Sequence, residues 1–276
     1  MKKPEKKQIR PSLVSGLFYP DRKEELTLQL DQSLLHFKEN SSDLILTPHG
    51  SYSTNGACMA AAFSACRKKD VQTVLLLGPV HREKNNAFLY LPEKEYFETP
   101  LGYAHVNTEL RNKLNDSSSL FVIDNSPHME EHCLEVQLPY VRHLFPDAEI
   151  LPILMGKLNR KQIRKAAEEM KAALSDQKES ILTVLSVNLS DFLPLDESEK
   201  MASHLIELMQ FPLEHSLLEE EKKGNLSTCG TTVLTLASEL FPEAGKAHLL
   251  YHEHTRVSEH GMDKGVYYGG FCWKRG

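Results

Sequence analysis

Short apolar runs alternate along the chain with longer segments in which apolar residues recur every three or four positions. The runs at 44–47 and 73–77 predict strands, and the run at 181–186 holds no charge, as is typical of a strand buried in a parallel sheet. The longer segments have the spacing of helices. We predict helices at 22–37, 53–66, 106–114, 131–144, 160–174, 197–210 and 233–240, and further extended segments at 87–91, 97–104, 120–123, 149–154, 247–254 and 265–273.

This alternation of strands and helices predicts an α/β protein: a single three-layer α/β/α domain with helices on both faces of a mostly parallel central sheet. The domain is expected to span residues 11–276, because no linker, repeat or low-complexity segment interrupts it. Residues 1–10 hold five lysines and arginines and are predicted to form a flexible N-terminal tail.

The composition and net charge argue against two classes of partner, nucleic acids and membranes. A net charge of −6 argues against nucleic-acid binding, which favours a basic surface. No apolar run approaches the roughly 18 residues that a membrane helix needs, and the basic start lacks the apolar stretch of a secretory signal. The five cysteines are odd in number and scattered, which favours reduced thiols over a disulfide framework. We therefore expect a cytoplasmic protein without a nucleic-acid or membrane partner.

Three residues combine into a candidate metal site. His49 follows the predicted strand at 44–47, and His81 follows the predicted strand at 73–77. Ligands of open α/β sheets bind outside the carboxyl ends of the strands, so both imidazoles are expected at one edge. Cys229 precedes a predicted apolar helix and would add a thiolate, giving three ligands and an open position for substrate or water. The spacing matches no short metal motif and leaves a structural role equally open.

Other polar residues near these loops are candidates for contacting a substrate or orienting a bound group. His132 and Glu135 lie three apart, and Glu131 and Glu135 four apart, so that on one helix they share a face. They can orient a metal-bound histidine or a substrate. The alternative is that acidic residues simply favour the start of a helix. Tyr52 follows His49 closely and can line the same pocket, or belong to an ordinary helix start.

Several short sequence blocks occur in the order in which a known family carries them. They are Ser15-Gly-Leu-Phe-Tyr-Pro20, Thr47-Pro-His-Gly-Ser-Tyr52, Leu77-Gly-Pro-Val-His81, Thr99-Pro-Leu-Gly102, Glu131-His-Cys-Leu-Glu-Val-Gln-Leu-Pro-Tyr140, Thr228-Cys-Gly230 and Gly265-Val-Tyr-Tyr-Gly-Gly270. With these blocks, nearly the whole chain resembles the Memo family, the B component of the AmmeMemoRadiSam gene set. The block that begins at Glu131 is the most specific of them.

The resemblance implies a fold like that of the class III extradiol ring-cleaving dioxygenases, which hold Fe(II) with two histidines and one carboxylate. Memo proteins place a cysteine where the carboxylate would be. Carried over residue by residue, the ligands here are His49, His81 and Cys229, which would bind one transition metal ion. Fe(II) is the first choice, and copper and zinc are alternatives because a thiolate is a softer ligand. The gene set also implies a functional link to its other components, including a radical SAM protein.

One block departs from the family pattern. Where the family has Ser-Ser-Asp-x-Ser/Cys-His, this chain has Ser186-Val-Asn-Leu-Ser-Asp191. Asn188 replaces the family's aspartate, and Asp191 replaces a histidine that resembles the acid/base histidine of the dioxygenases. An imidazole exchanges protons near neutral pH, whereas an ordinary aspartate stays ionised there. Asp191 is therefore expected to serve as a base only if it is buried or lies beside the metal.

These observations lead to one expected function and two alternatives. The expected function is a metal-dependent, dioxygenase-like oxidoreductase that acts on a small molecule with dioxygen. Its catalytic residues would be His132, Glu135 and Asp191, and its substrate-binding residues Tyr52, Asn188 and Glu131. The first alternative is a non-catalytic module that binds a peptide or protein in the same cleft. The second is a zinc hydrolase with Glu131 or Asp191 as its base. The sequence leaves open whether the chain is an enzyme.

Overall fold

The computed structural model describes residues 5–38, 41–66, 71–82, 87–210, 217–259 and 261–273. The helices are α1 (Lys23–Leu34), α2 (Tyr52–Ser64), α3 (Thr108–Ser117), α4 (Asn125–His128), α5 (Leu138–Leu144), α6 (Arg160–Leu174), α7 (Leu195–Met209), α8 (Leu217–Lys222) and α9 (Thr231–Leu240). The strands are β1 (Ile9–Arg10), β2 (Leu44–Thr47), β3 (Thr73–Pro79), β4 (Leu89–Leu91), β5 (Tyr96–Thr99), β6 (Gly102–His105), β7 (Phe121–Ile123), β8 (Glu149–Met155), β9 (Ile181–Ser186), β10 (Leu193–Pro194), β11 (Ala247–His254), β12 (Val257–Glu259), β13 (Met262–Gly265) and β14 (Tyr267–Trp273).

Within these described ranges, the main sheet has eight strands in the order β11-β14-β2-β9-β3-β8-β4-β7. The four central strands, β2, β9, β3 and β8, run parallel to one another. The outer strands are mixed, because β14 is antiparallel to β2 and β11, and β4 is antiparallel to β8. The predicted α/β class with a mostly parallel central sheet is confirmed, and its parallel part is the centre that carries the site.

Side chains of the central strands alternate between two buried clusters, one on each face of the sheet. In β3, Leu75 and Leu77 belong to one cluster, and Val74 and Leu76 belong to the other. Helices α3, α6, α7, α8 and α9 complete the first cluster, and α1, α2 and α5 complete the second. Each fully buried leucine contributes about 1.5–3 kcal/mol relative to exposure. The sheet therefore lies between two helical layers, as predicted.

Local sequence explains most helix bounds but not all of them. Helix α6 spans the predicted residues, and Asn159 caps it in a reciprocal pair with Gln162. The predicted helix at 131–144 differs, because only a 3-10 turn at Glu135–Gln137 and then α5 are helical. Helices α6 and α7, with 15 residues each, are the longest described. No described helix combines the length and the apolar character needed to cross a membrane.

The predicted N-terminal tail differs from the structure at its carboxyl end. Residues Lys6–Gln8 form a 3-10 turn, and Ile9–Arg10 pairs with Tyr96–Thr99 as a parallel strand. The Arg10 side chain is buried and pairs with Glu135 at 2.7 Å. A buried charge is retained only when it is paired in this way, and the partner lies far away in sequence. Residues 1–4 lie outside the described ranges.

Candidate metal centre

Two histidines and one cysteine meet at the carboxyl edge of the parallel strands. β2 ends at Thr47 and leads to His49, and β3 ends at Pro79 and leads to His81. Cys229 lies just ahead of α9. The ligand atoms of these three side chains all lie within 4.8 Å of one another, and His49 Nε2 is 3.5 Å from Cys229 Sγ. The structure thus brings together all three residues that the sequence nominated as ligands.

The orientation of His49 is fixed at its backbone and at its ring. Its Nδ1 lies 3.0 Å from Ser186 Oγ, and its backbone N–H donates to Asn188 Oδ1 at 3.1 Å. Ser186 ends β9 and pairs in register with Thr47 of β2, which brings its hydroxyl level with His49. With Nδ1 occupied in this way, the other ring nitrogen, Nε2, faces Cys229.

A buried carboxylate holds His81 in the same manner. His81 Nδ1 lies 2.7 Å from Glu131 Oε2, and the His81 backbone N–H donates to Glu131 Oε1 at 2.5 Å. A carboxylate on one ring nitrogen fixes the tautomer of a histidine and raises the basicity of its other nitrogen. Both oxygens of Glu131 therefore serve His81, and Glu131 is placed to orient a ligand.

A buried polar network joins the two histidine loops. Gln137 Nε2 donates to the carbonyl of Pro48 at 2.8 Å and to Ser186 Oγ at 3.1 Å. Ser186 in turn donates to the carbonyl of Cys133 at 2.7 Å, and Cys133 Sγ donates to the carbonyl of Pro79, at the end of β3, at 3.3 Å. Because buried polar groups cost free energy when they are unpaired, this network fixes the relative positions of the loops.

Cys229 is positioned by contacts with the loop that follows β9. Thr228 Oγ1 donates to the carbonyl of Asn188 at 2.5 Å, and Ser227 Oγ donates to Asp191 Oδ2 at 2.7 Å. A Cβ on Gly230 would lie 2.1 Å from Val187 Cγ1, so only glycine permits this close approach. The loops that carry His49 and Cys229 are both anchored on residues just after β9.

A third imidazole lies beside the two candidate ligands. The His132 ring centroid is 5.8 Å from that of His81, nearly parallel to it, and 5.9 Å from that of His49. The edge of Phe18 packs on His132 with centroids 5.0 Å apart. His132 therefore lies close enough to exchange a proton with a group bound between the other histidines.

Burial and mutual repulsion set the charges of this cluster. Burial, and then the neighbouring His81, lower the pKa of both His49 and His132, so both favour the neutral form. Burial also lowers the pKa of His81, but hydrogen bonds to Cys229 and Glu131 outweigh it and raise this pKa to about 10. Burial raises the pKa of Glu131, and the bond to His81 more than reverses this effect. The cluster thus stabilises one positive charge.

These donors suit a transition metal ion. Two imidazoles and a thiol form a nitrogen and sulfur donor set that iron, copper and zinc all accept. The nitrogen that faces Cys229 on His49 is not the one bonded to Ser186, and the bond from Glu131 likewise leaves Nε2 of His81 for a ligand role. The residues present therefore fit a single bound metal ion.

The remaining nominated residues lie around this cluster with other partners. Glu135 accepts hydrogen bonds from Arg10, from the backbone N–H groups of residues 13 and 14, and from Tyr19. It does not share a helix face with His132, because the segment between them is not an α-helix. Tyr52 is buried, and its hydroxyl donates to the carbonyl of residue 136 at 2.8 Å. Asp191 is exposed, so the burial that would make it a base is absent.

Sequence patterns do not single out Ser186 and Gln137, although both hold the site. One signal for Ser186 is its position at the end of an uncharged strand, beside the strand that leads to His49. One signal for Gln137 is an amide in an otherwise apolar segment that the structure buries completely. Neither signal can be linked to the metal site until the order of the strands in the sheet is known.

The fold and site define a three-layer α/β protein with a histidine, histidine and cysteine donor cluster at the carboxyl edge of its sheet. This chain belongs to the Memo-like protein family, whose model matches residues 10–272. It is 28% identical to a MEMO1 family protein of Methanobrevibacter smithii, over 80% of this chain and 83% of the relative. It is 25% identical to a MEMO1 family protein of Thermoplasma volcanium, over 94% and 96%.

A similarity to a solved structure supports the fold of this chain but says nothing about its function. An uncharacterized protein, JW3007, from Escherichia coli K12 superposes with a TM-score of 0.51 at 12% identity, covering 82% of this chain and 98% of that chain. At this identity the likeness concerns the path of the backbone and not the chemistry of the site. Together with the family match, it agrees with the expected dioxygenase-like arrangement of the sheet.

Proposed function

We propose that this protein binds one transition metal ion through His49, His81 and Cys229 and uses it for redox chemistry on a small molecule. The observation that carries the proposal is the convergence of the three donors, with His49 held by Ser186 and His81 held by Glu131. Fe(II) is the first choice of metal and copper is the redox-active alternative, whereas zinc, which a thiolate ligand also permits, has no redox chemistry and fits only the hydrolase alternative.

The residues around the three donors have different roles in this proposal. A metal held by His49, His81 and Cys229 would supply Lewis acidity and redox chemistry toward a small molecule and dioxygen. His132, with its lowered pKa, is neutral near pH 7 and can accept a proton from a substrate bound beside it. Glu131 holds His81, and Asn188 holds the backbone of His49. Among these residues His132, rather than exposed Asp191 or ion-paired Glu135, takes the role of acid and base.

Elemental analysis of protein purified without oxygen or an affinity tag tests this proposal. We expect about one iron or copper ion per chain in the wild type and none in Cys229→Ala. The matched control is Cys58→Ala, because Cys58 is a buried thiol whose Sγ contacts the carbonyl of residue 251 outside the donor cluster. Absence of metal from the wild type after reconstitution would overturn the proposal. Zinc in place of iron or copper would favour the zinc hydrolase over the redox protein.

A binding module is the second candidate, and the exposure of Asp191 favours it. At the position where the family carries a histidine that resembles the acid/base histidine of the dioxygenases, this chain has the exposed carboxylate of Asp191, bonded to Ser227. A peptide or protein would then occupy the cleft without being transformed, and the other components of the AmmeMemoRadiSam gene set, including its radical SAM protein, are the partners to test first. The variant His49→Ala separates the two functions: loss of metal with unchanged partner binding supports the module.

A zinc hydrolase has less support than either. It needs a carboxylate that activates water, and both oxygens of Glu131 are bonded to His81. Asp191 offers a carboxylate, but its exposure leaves it in contact with water rather than in a protected site. Hydrolysis of esters or amides by the zinc-loaded protein, together with inertness toward dioxygen, would restore this alternative.

A further inference from the structure

A cavity lies on the α1 and α2 side of the sheet, and none of the metal donors lines it. Its volume is about 460 Å³, within the range of small-molecule sites. It is lined by residues of α1, α2, α5 and β11 and of the segment that follows α1. Those residues are Gln29, Ser33, His36, Phe37, Tyr52, Gly56, Ala57, Tyr140 and Tyr251. Neither His132 nor any of the three metal donors lines it.

The walls of the cavity favour an uncharged aromatic ligand. Four of the lining residues are aromatic, and Phe37 and Tyr251 meet edge to face with centroids 5.7 Å apart. Among the described residues, the lining holds no lysine, arginine, aspartate or glutamate, and His36 is exposed at its rim. Aromatic rings attract one another in offset or edge-to-face geometry, whereas a charged ligand would lose its hydration without a counter-charge.

Two hydroxyl groups in the wall specify the polar group of the ligand. Ser33 Oγ lies 2.9 Å from the carbonyl of residue 30 and 3.2 Å from the hydroxyl of Tyr140. The Tyr140 hydroxyl in turn lies 3.4 Å from the carbonyl of Gly56. Both hydroxyl protons thus have acceptors in the protein, and only oxygen lone pairs remain. The pair can therefore accept a hydrogen bond, and a matching ligand must donate one.

Gly56 keeps the cavity open. A Cβ at this position would meet only the Cβ of Tyr52, at an ordinary contact distance of 3.7 Å, and its backbone φ lies outside the left-handed region. A larger side chain would fit the backbone and extend into the cavity. The glycine thus contributes space here rather than backbone freedom, which offers a way to fill the cavity without forcing the helix apart.

We propose that this cavity binds a planar, uncharged aromatic molecule that carries an N–H or O–H donor, of the indole or phenol type. The ring lies among the side chains of Phe37, Tyr52 and Tyr251, and the donor group bonds to the hydroxyl pair of Ser33 and Tyr140. None of the lining residues is a metal donor, so we expect the cavity to bind its ligand in the metal-free protein as well.

Titration of the purified protein with indole, followed by calorimetry and by ligand-detected NMR, tests the site. We expect saturable binding with a dissociation constant of about 1 mM, the range that a nine-atom fragment reaches. 1-Methylindole lacks the donor and should bind about fivefold more weakly, the equivalent of one net hydrogen bond. Indole-3-carboxylate, which is charged, should not bind. No saturable binding of indole, or equal binding of all three molecules, would overturn the proposal.

Variants then locate the binding. Gly56→Leu should abolish indole binding, and Gly56→Ala, which adds a single methyl group, should weaken it only slightly. The double variant Ser33→Ala/Tyr140→Phe removes both acceptor hydroxyls and should remove the preference for indole over 1-methylindole, and this comparison decides the matter if Gly56→Leu does not fold. Indole binding that survives in folded Gly56→Leu, or a preference that survives in the double variant, would show that indole binds elsewhere and overturn the proposal.

Discussion

Glu131 and Glu135 lie four residues apart, and both are buried, yet they belong to two different regions of the molecule. Glu131 bonds to His81 and serves the candidate metal centre. Glu135 pairs with Arg10 and ties down the N-terminal segment. The segment between them is irregular, which lets the two carboxylates reach different partners. The same chemical group therefore supports a ligand in one region and the fold in the other.

Arg10 connects the two regions through the backbone. Its guanidinium donates to the carbonyl of Glu131 at 2.8 Å and to the carbonyl of His128 at 2.5 Å, besides pairing with Glu135. The guanidinium also packs over the ring of Phe97 at 5.2 Å. The cluster of Arg10, Glu135 and Tyr19, which we call the N-terminal clamp, thus fixes the segment that presents Glu131 to the site.

The largest expected effect comes from breaking the clamp. Arg10→Ala leaves the Glu135 carboxylate buried without its counter-charge, and losing one partner of a buried pair costs about 3–5 kcal/mol. We expect the free energy of unfolding of the metal-free protein, measured with urea, to fall by that amount. An exposed control, Arg82→Ala, should change it by less than about 0.5 kcal/mol. A fall below about 1 kcal/mol in Arg10→Ala would contradict the role of the clamp.

The second-largest effect distinguishes Glu131 from Glu135, because one substitution should change metal affinity and the other the free energy of unfolding. Glu131→Gln weakens the hold on His81, and such a loss typically lowers metal affinity by 10- to 100-fold. The matched variant Glu135→Gln should lower the free energy of unfolding while metal affinity stays within about threefold. Competitive metal titration of both folded variants measures this difference. Equal losses of affinity in the two variants would show that the regions are not separate.

The site was easier to predict than the groups that hold it. His49 and His81 follow apolar strands, and in parallel sheets this position made a ligand role as well supported as a structural one. Cys229 was proposed as the third ligand from its place ahead of an apolar helix, and the resemblance then supported this role, since its distance in sequence carries no metal signal. Ser186 and Gln137 stayed unassigned because their roles depend on which strands and loops are neighbours.

The differences in the fold have the same origin. The helix predicted at 131–144 rested on the spacing of apolar residues, which continues through the irregular part of the segment. The spacing carries no information on the different partners that Glu131 and Glu135 bond to in the fold. Likewise Arg10 resembles one more charge of a basic tail, because its partners lie more than a hundred residues away. Local patterns predict elements well, and tertiary charge pairing overrides them here.

A third, smaller effect is the pH dependence that His128 adds to the clamp region. His128 is buried and bonded to the carbonyl of residue 90, and burial lowers its pKa to about 3. Between this value and the unfolded value near 6.5, the unfolded state binds more protons, so stability falls as pH decreases through that window. The contribution is at most about 1.4 kcal/mol per pH unit. His128→Gln should flatten the slope of unfolding free energy between pH 4 and 6, and an unchanged slope would refute this assignment.

The smallest effect tests the clamp without disturbing its charges. Tyr19 donates a hydrogen bond to Glu135 at 2.9 Å, and burial, followed by the charge of Glu135, raises the pKa of this tyrosine. In Tyr19→Phe the carboxylate keeps Arg10 and its backbone donors, so we expect a loss of only about 1–2 kcal/mol in unfolding free energy. Metal affinity should stay unchanged, because neither Glu131 nor His81 loses a partner. If Tyr19→Phe weakens metal binding as much as Glu131→Gln does, the clamp and the metal centre act as one unit.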